Sequence, residues 1–196
     1  MKAQLAGLAL RLLGWKIVGE QPAFKKCVVV GAHHTSNLDG VYMVVLSAAL
    51  GFDVHWFGKH TLFRGLTGVI MRAVGGVPLD RSSSLNAVEQ AVALFNARDE
   101  FRLVVSPEGT RSKVTRWKTG FYYIALDANV PLVCGFADYR TREMGVGLVV
   151  HPTGDLEADF EPIREFYSTI TARFPERAGD LKVVPKRTRQ TREQAS

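Results

Sequence analysis

The sequence predicts an α/β protein, an αβα layered domain with a largely parallel central sheet, preceded by an N-terminal amphipathic helix. This fold class follows from two kinds of segment that alternate along the chain. Short apolar, β-branched segments alternate along the chain with longer segments whose apolar residues recur every three or four positions. Such alternation is typical of strands joined by crossover helices. The length of 196 residues suits one domain with a sizeable core.

The first half of the chain predicts three helices and three strands. Apolar residues at helical spacing, interleaved with lysine and arginine, predict a helix over 1–18. Ser36 or Asn37 is a suitable cap for the next helix, and Gly75-Gly76 ends the third. The helices are predicted over 1–18, 38–50 and 62–74, and the strands over 27–32, 54–57 and 77–79.

The second half continues the alternation. Ser84 is a predicted cap for a fourth helix, and Asp159 for the last one. Strands are predicted over 101–105, 131–136 and 147–151, and a helix over 118–128. We expect a single domain over 1–180, with 1–20 as a membrane-surface helix, and a disordered basic tail over 181–196.

Charge is unevenly distributed. The net charge is +6, but 1–26 and 182–196 each contribute +4, so the remaining body is slightly acidic. Basic ends suit an anionic surface, and the first segment can lie in a bilayer interface or pack on the domain. No signal peptide or transmembrane segment is predicted. Cys27 and Cys134 lie beside apolar runs, which indicates buried thiols and a reducing compartment.

A first polar loop, His33–Gly40, follows the strand 27–32. His34 and Asp39 are spaced so that the carboxylate can orient one imidazole nitrogen and leave the other as a base. Two other interpretations stay open at this point: both residues as helix caps, or a metal site that also includes His33. No serine nucleophile motif of the Gly-x-Ser-x-Gly type is present, so a substrate hydroxyl would have to attack directly.

A second polar loop begins after the strand 101–105. Gly109 allows close approach to the backbone, Thr110 offers a hydroxyl, and Arg111 can clamp phosphate oxygens. The alternative is a Glu108–Arg111 ion pair that braces a turn. Both loops follow strands, and in parallel sheets ligands bind beyond the carboxyl ends of the strands.

These segments together resemble the lysophospholipid acyltransferase family, also called the 1-acylglycerol-3-phosphate acyltransferase family. The resemblance covers about residues 27 to 136, and its four blocks occur in family order. The blocks are His34–Asp39 (His-x4-Asp), Gly75–Arg81, Glu108–Arg111 and Val130–Val133.

The resemblance implies an O-acyltransferase of phospholipid biosynthesis that lies on the cytoplasmic face of a membrane as a peripheral protein. His34 would be the general base and Asp39 its orienting partner. The acceptor's phosphate would be held by Arg81, Glu108, Gly109, Thr110 and Arg111. The co-substrates would be acyl-CoA or acyl-carrier protein and a phosphate-bearing lysolipid, with no metal and no bound cofactor.

Two other functions remain to be weighed. One is a non-catalytic lipid-binding module of the same fold, against which the intact His34 and Asp39 argue. The other is nucleic-acid binding, suggested by the basic tail. The slightly acidic body and the lack of an aromatic-basic pattern argue against it, so we expect no nucleic-acid partner.

Overall fold

The computed structural model describes residues 2–19, 23–80 and 86–184. The helices are α1 (Lys2–Leu12), α2 (Asn37–Leu50), α3 (Gly65–Ala73), α4 (Ala87–Ala97), α5 (Gly120–Asp127) and α6 (Leu156–Ser168). The strands are β1 (Lys16–Val18), β2 (Lys26–Gly31), β3 (His55–Lys59), β4 (Gly76–Leu79), β5 (Phe101–Val105), β6 (Leu132–Asp138) and β7 (Glu143–Val150). Short 3-10 helices span His60–Phe63 and Pro175–Arg177.

The strands form one seven-stranded sheet in the order β1-β7-β6-β2-β5-β3-β4. Every neighbouring pair is parallel except β6 and β7, which are antiparallel. The central strand β2 lies between β5 and β6, and all three run in the same direction. The predicted layered fold with a largely parallel sheet is confirmed, and the loops after β2, β5 and β6 meet at one edge.

Alternate residues of the central strands face two different helix layers. Val28, Val30 and Leu103 pack with buried residues of α4, α5 and α6, which we call the α4–α6 layer. Cys27 and Val29 face the other way, toward α2, on which α1 packs. Because both sheet faces are covered, the central strands carry apolar residues on both faces rather than on alternate positions only.

Helix α3 lies in the same layer as α1 and α2, which we call the α1–α3 layer. Trp56 of β3 is the register partner of Val104, whose side chain packs in the cluster beneath α2. Paired residues of neighbouring strands point to the same face of a sheet. Trp56 contacts Phe63, just before α3, and its indole N–H donates to the carbonyl of Val74, just after it, at 3.0 Å.

The N-terminal helix predicted over 1–18 ends at Leu12, so the prediction is wrong for its last third. Gly14 adopts a positive φ of 79°, which ends the helical segment, and the chain continues as β1, parallel to β7. Trp15 is buried beside Leu10 against α2, so its indole is not a bilayer contact. The outward leucines of α1, Leu5, Leu8 and Leu12, are exposed, and so is Leu13 in the turn after it.

Three further predictions differ from the structure. Asn86 caps α4, since its side chain accepts from the N–H groups of Val88 and Glu89, and Ser84, the predicted cap, lies outside the described residues. Asp155 caps α6 through a side-chain bond to the N–H of Ala158, whereas Asp159 lies inside the helix. Asp159 is buried and accepts hydrogen bonds from Tyr122 and Thr153. The last strand begins at Glu143 rather than Gly147 and pairs antiparallel with β6.

The domain continues past the predicted boundary at residue 180. Val183 is buried in the core, and the backbone N–H of Trp117 donates to the carbonyl of Lys182 at 2.7 Å. Residues 185–196, the greater part of the predicted tail, lie outside the described residues. Cys27 and Cys134 are free and buried, as predicted, and burial raises the pKa of each thiol to about 12. Among the described residues, no helix is both long and apolar enough to span a bilayer.

Candidate active site

The two polar loops identified in the sequence meet because β2 and β5 are adjacent parallel strands. The first loop, 32–36, leaves β2 and enters α2, and the second leaves β5. A direct contact joins them, since the backbone N–H of His34 donates to Oε1 of Glu108 at 3.2 Å. The loops therefore form one site at the carboxyl edge of the sheet.

Asp39 is held by four donors. Its Oδ2 accepts from the backbone N–H groups of Thr35 at 2.8 Å and Ser36 at 2.7 Å. Its Oδ1 accepts from the hydroxyls of Ser36 at 3.3 Å and Tyr139 at 2.6 Å. Ser36 caps α2, and Asp39 completes the capping box from the third helical position. The capping interpretation is thus correct for Asp39, and it does not compete with a role beside His34.

His34 lies within ion-pair distance of Asp39. Its Nδ1 is 3.8 Å from Oδ2 of Asp39, beyond hydrogen-bond distance, so the predicted direct hydrogen bond is not formed. Burial lowers the pKa of His34, the Asp39 carboxylate raises it, and Arg111 lowers it. The lowered pKa keeps the imidazole neutral at neutral pH. With Nδ1 facing Asp39 and the side chain about one-quarter exposed, Nε2 is the nitrogen available as a base.

Glu108 and His33 form a buried pair behind this base. The side chains are 3% and 6% exposed, and Nδ1 of His33 lies 4.0 Å from Oε1 of Glu108. Within the described residues, His33 Nδ1 and Glu108 Oε2 have no hydrogen-bond partner. Burial raises the pKa of Glu108 to about 7, against the lowering effect of the backbone donors, including the N–H of His34. Glu108 therefore supports the loop of His34 from within.

The rest of the second loop is exposed. Gly109, Thr110 and Arg111 are all solvent-accessible, and Arg111 is close enough to lower the pKa of His34. Gly109 has a positive φ of 63°, and a Cβ built there would lie 2.7 Å from Nζ of Lys118. The ammonium group of Lys118 thus lies beside the glycine. Arg81, the remaining predicted phosphate ligand, lies outside the described residues.

Tyr139 is a site residue that the sequence reasoning missed. It directly follows β6, whose carboxyl end lies beside that of β2, and its hydroxyl donates to Asp39. Burial raises the pKa of Tyr139, and the hydrogen bond to Asp39 raises it further. The signal in the sequence was the polar run Asp138-Tyr139-Arg140 directly after an apolar strand.

Comparison with known proteins identifies the family of this chain. A family model described as "Acyltransferase" matches residues 16–135, more than half of the chain. The chain belongs to the acyltransferase family. A comparison with curated protein sequences found no match for this acyltransferase.

A solved structure shares the fold of this acyltransferase. It is the crystal structure of the 1-acyl-sn-glycerophosphate (LPA) acyltransferase PlsC from Thermotoga maritima. The TM-score is 0.57 and the sequence identity is 20%, with 85% of this chain and 73% of that chain covered. The fold expected from the four sequence blocks is therefore confirmed.

An apolar cavity of about 80 Å³ opens beside the polar cluster of this acyltransferase. It lies between α2 and the sheet, and Asp39 and His33 line its polar end. The walls are mainly aliphatic and aromatic side chains and include Val29, Met43, Leu46, Phe52, Val104 and Met144. An apolar cavity with a polar end suits a ligand with a reactive head and a hydrocarbon chain.

The metal interpretation of the first loop gains no support from the geometry. His33 faces Glu108 and the carbonyl of Tyr167, while His34 faces Asp39. The two imidazoles are therefore engaged with different partners. In the part of the chain that the structure describes, no three His, Cys, Asp or Glu side chains converge as a metal site would require.

Proposed function

We propose that this acyltransferase moves a fatty acyl group from acyl-CoA or acyl-carrier protein to a hydroxyl of a phosphate-bearing lysolipid, a 1-acylglycerol-3-phosphate-like acceptor, in phospholipid biosynthesis. One observation carries the proposal. Asp39 both lies against the imidazole of His34 and lines the apolar cavity, so a base and a hydrocarbon site share a wall.

His34 is the proposed general base. Nε2 takes the proton of the acceptor hydroxyl as its oxygen attacks the thioester carbonyl, and the C–S bond then breaks. The proton passes from the imidazolium to the departing thiolate, which leaves as a free thiol. Asp39 stabilises the imidazolium in the interval, and general base catalysis of this kind contributes roughly 10²–10⁴-fold. The scheme needs no metal and no cofactor besides the thioester donor.

The apolar cavity is the proposed site of a fatty acyl chain. Its walls offer a hydrocarbon chain few polar partners, and its polar end is where the thioester carbonyl must lie to meet the attacking hydroxyl. Chain placement of this kind supplies the orientation that accounts for much of the rate enhancement of a two-substrate reaction.

The acceptor's phosphate is proposed to bind at the exposed part of the second loop. Gly109 allows close backbone approach, the ammonium group of Lys118 lies beside it, and Arg111 lies close enough to His34 to lower its pKa. Thr110 adds a hydroxyl, and Glu108 holds the loop of His34 in place. Arg81 remains part of this proposal on sequence grounds alone.

We further propose that the protein is peripheral, on the cytoplasmic face of an anionic membrane. The outward leucines of α1 and its basic residues, Lys2 and Arg11, suit an interfacial helix. A lysolipid partitions into the bilayer through its acyl chain, so a membrane-bound enzyme meets its substrate at the membrane surface.

The test is thiol release from acyl-CoA, and then from acyl-carrier protein, with lysolipids presented in vesicles. Release should require a phosphate-bearing acceptor and should fall by roughly 10²-fold or more in His34→Ala. The matched control is His60→Ala, an exposed histidine on the 3-10 helix His60–Phe63, which should retain full release. Undiminished release by folded His34→Ala would overturn the mechanism. Vesicle binding without release from either donor would favour the non-catalytic lipid-binding module.

A further inference from the structure

The outward surface of α3 carries an apolar stripe. Leu66, Val69 and Ile70 are 77%, 63% and 51% exposed, and their spacing places them on one side of the helix. Leu62, on the 3-10 helix just before α3, is 45% exposed and extends the stripe. Contiguous apolar surface on a soluble domain commonly marks a binding face. We call Leu62, Leu66, Val69 and Ile70 the α3 stripe.

The orientation of α3 is fixed by its inner side, so the stripe cannot turn inward without repacking. Gly68 is buried, and a Cβ there would lie 2.3 Å from the carbonyl oxygen of Phe63. Phe63 is itself buried and contacts Trp56 of β3. The close approach at Gly68 holds the inner side of the helix on the domain and leaves the stripe facing outward.

Positive charge surrounds the stripe. The segment 54–79 contains no aspartate or glutamate, whereas Lys59, Arg64 and Arg72 all lie in it. These three side chains belong to exposed residues. Among the described residues, no carboxylate lies within 4.0 Å of any of the three. Arg72 contacts the ring and carbonyl of Phe63, which holds its guanidinium beside the helix.

The two helix layers differ in exposed apolar surface and in charge. Of the twelve exposed large apolar residues in the described ranges, ten lie on α1, at the turn after it, on α2, on α3 or on the 3-10 helix before α3. None lies on α4, α5 or α6. Those three helices carry six acidic residues and one basic residue, whereas α1, α2 and α3 carry three basic and one acidic. An anionic bilayer would therefore attract the α1–α3 layer and repel the other.

We propose that the α3 stripe, separate from α1, is a second membrane anchor that inserts into the bilayer interface while Lys59 and Arg64 contact lipid phosphates. The inference rests on the proposed function in taking a membrane lipid as the substrate. Two anchors on one layer would hold the domain at a fixed orientation, whereas α1 alone would leave it free to pivot. The apolar cavity lies between α2 of this layer and the sheet, so the proposed chain site and both anchors are on the same side of the sheet.

Vesicle flotation of the full chain tests the anchor without requiring turnover. One set of vesicles is phosphatidylcholine alone, and the other is an equal mixture with phosphatidylglycerol. Leu66→Gln with Ile70→Gln should weaken binding to both sets, roughly tenfold or more. Lys59→Gln with Arg64→Gln should weaken binding to the anionic set alone, by roughly thirtyfold at low salt.

Each control carries one substitution of the same type, apolar to glutamine or basic to glutamine, elsewhere on the surface. Val184→Gln changes an exposed apolar residue outside the α1–α3 layer, and Arg164→Gln changes a basic residue of α6. Both should bind vesicles as the wild type does. All variants alter exposed side chains, and circular dichroism checks that each is folded.

Two results would overturn the second anchor. One is unchanged vesicle binding by Leu66→Gln with Ile70→Gln while Leu8→Gln with Leu12→Gln loses it, which would leave α1 as the contact. The other is a wild-type dimer that the α3 substitutions convert to a monomer with unaltered vesicle affinity, which would make the stripe a protein interface. Vesicle binding that depends on the stripe, with no thiol release, would support the anchor and count against the proposed reaction alone.

Discussion

Replacing Glu108 by glutamine is expected to remove a specific pH dependence of stability. The carboxyl is 3% exposed, and its Oε2 has no partner within the described residues. Burial raises its pKa from 4.5 to about 7 on folding. Because the folded state binds this proton more tightly, the free energy of unfolding falls as the pH rises from about 4.5 through about 7.

The magnitude follows from the two pKa values. Between about pH 6.5 and pH 8 the native carboxyl passes from mostly protonated to mostly ionised, while the unfolded carboxyl is ionised throughout. Linkage then lowers the free energy of unfolding by about 1 kcal/mol over this interval. Glu108→Gln has no ionisable group at this position and does not show this decrease. The buried histidines contribute with the opposite sign, since burial lowers the pKa of His33 and His34. Subtraction removes the contribution of the histidines that do not contact Glu108, and the same comparison in a His33→Gln background removes that of His33, which lies 4.0 Å from the carboxyl.

Urea denaturation of both proteins at the two pH values measures the effect. The free energy of unfolding of the wild type minus that of Glu108→Gln should fall by about 1 kcal/mol from pH 6.5 to pH 8. Glu157→Gln, which removes an exposed carboxylate of α6, is the matched control and should show no such change. A difference for Glu108→Gln that is constant with pH, or that rises, would refute the burial argument.

Three further predictions concern the site. Tyr139→Phe removes a hydroxyl that donates to Asp39 at 2.6 Å, so unfolding should cost about 1.5–3 kcal/mol less by urea titration, and kcat should fall with KM unchanged. Met43→Trp places a larger side chain in a cavity of about 80 Å³, so the enzyme should prefer shorter acyl chains than the wild type does when thioesters of different length compete. An unaltered preference would exclude this cavity as the chain site. Gly109→Ala introduces a Cβ at 2.7 Å from Nζ of Lys118 where φ is 63°, so KM for the phosphate-bearing acceptor should rise; a rise confined to the donor's KM would argue against a phosphate site there.

The sequence predicted the parts of the site that depend on local order. The loop after β2 and the loop after β5 could be identified because each follows an apolar strand and holds residues that a simple turn does not need. Their meeting was predictable too, since parallel strands bring their carboxyl ends to one edge. Ser36 was recognisable as a cap from its position before an apolar helix.

Contacts between distant segments could not be predicted. Tyr139 lies 100 residues from Asp39 in sequence, and Glu108 is buried by segments distant from it in sequence, including the loop of His34 and the chain at Gly179. The helix predicted over 1–18 ended early because Gly14 interrupts it and β7 offers β1 a partner, which no local pattern reveals. Asp159 looked like a cap because carboxylates favour helix starts, but the donors Tyr122 and Thr153 satisfy it inside the helix.

The capping role of Asp39 bears on how this site can evolve. The carboxylate is held by the start of α2 whether or not the imidazole beside it turns over substrate. Selection for folding alone therefore retains the aspartate, whereas only selection for activity retains His34, which makes no side-chain hydrogen bond shorter than 3.5 Å to any described residue. In descendants that have abandoned catalysis, the histidine is expected to drift first and the aspartate to persist. An aspartate retained at this position without the histidine therefore indicates descent from an active enzyme and does not indicate activity.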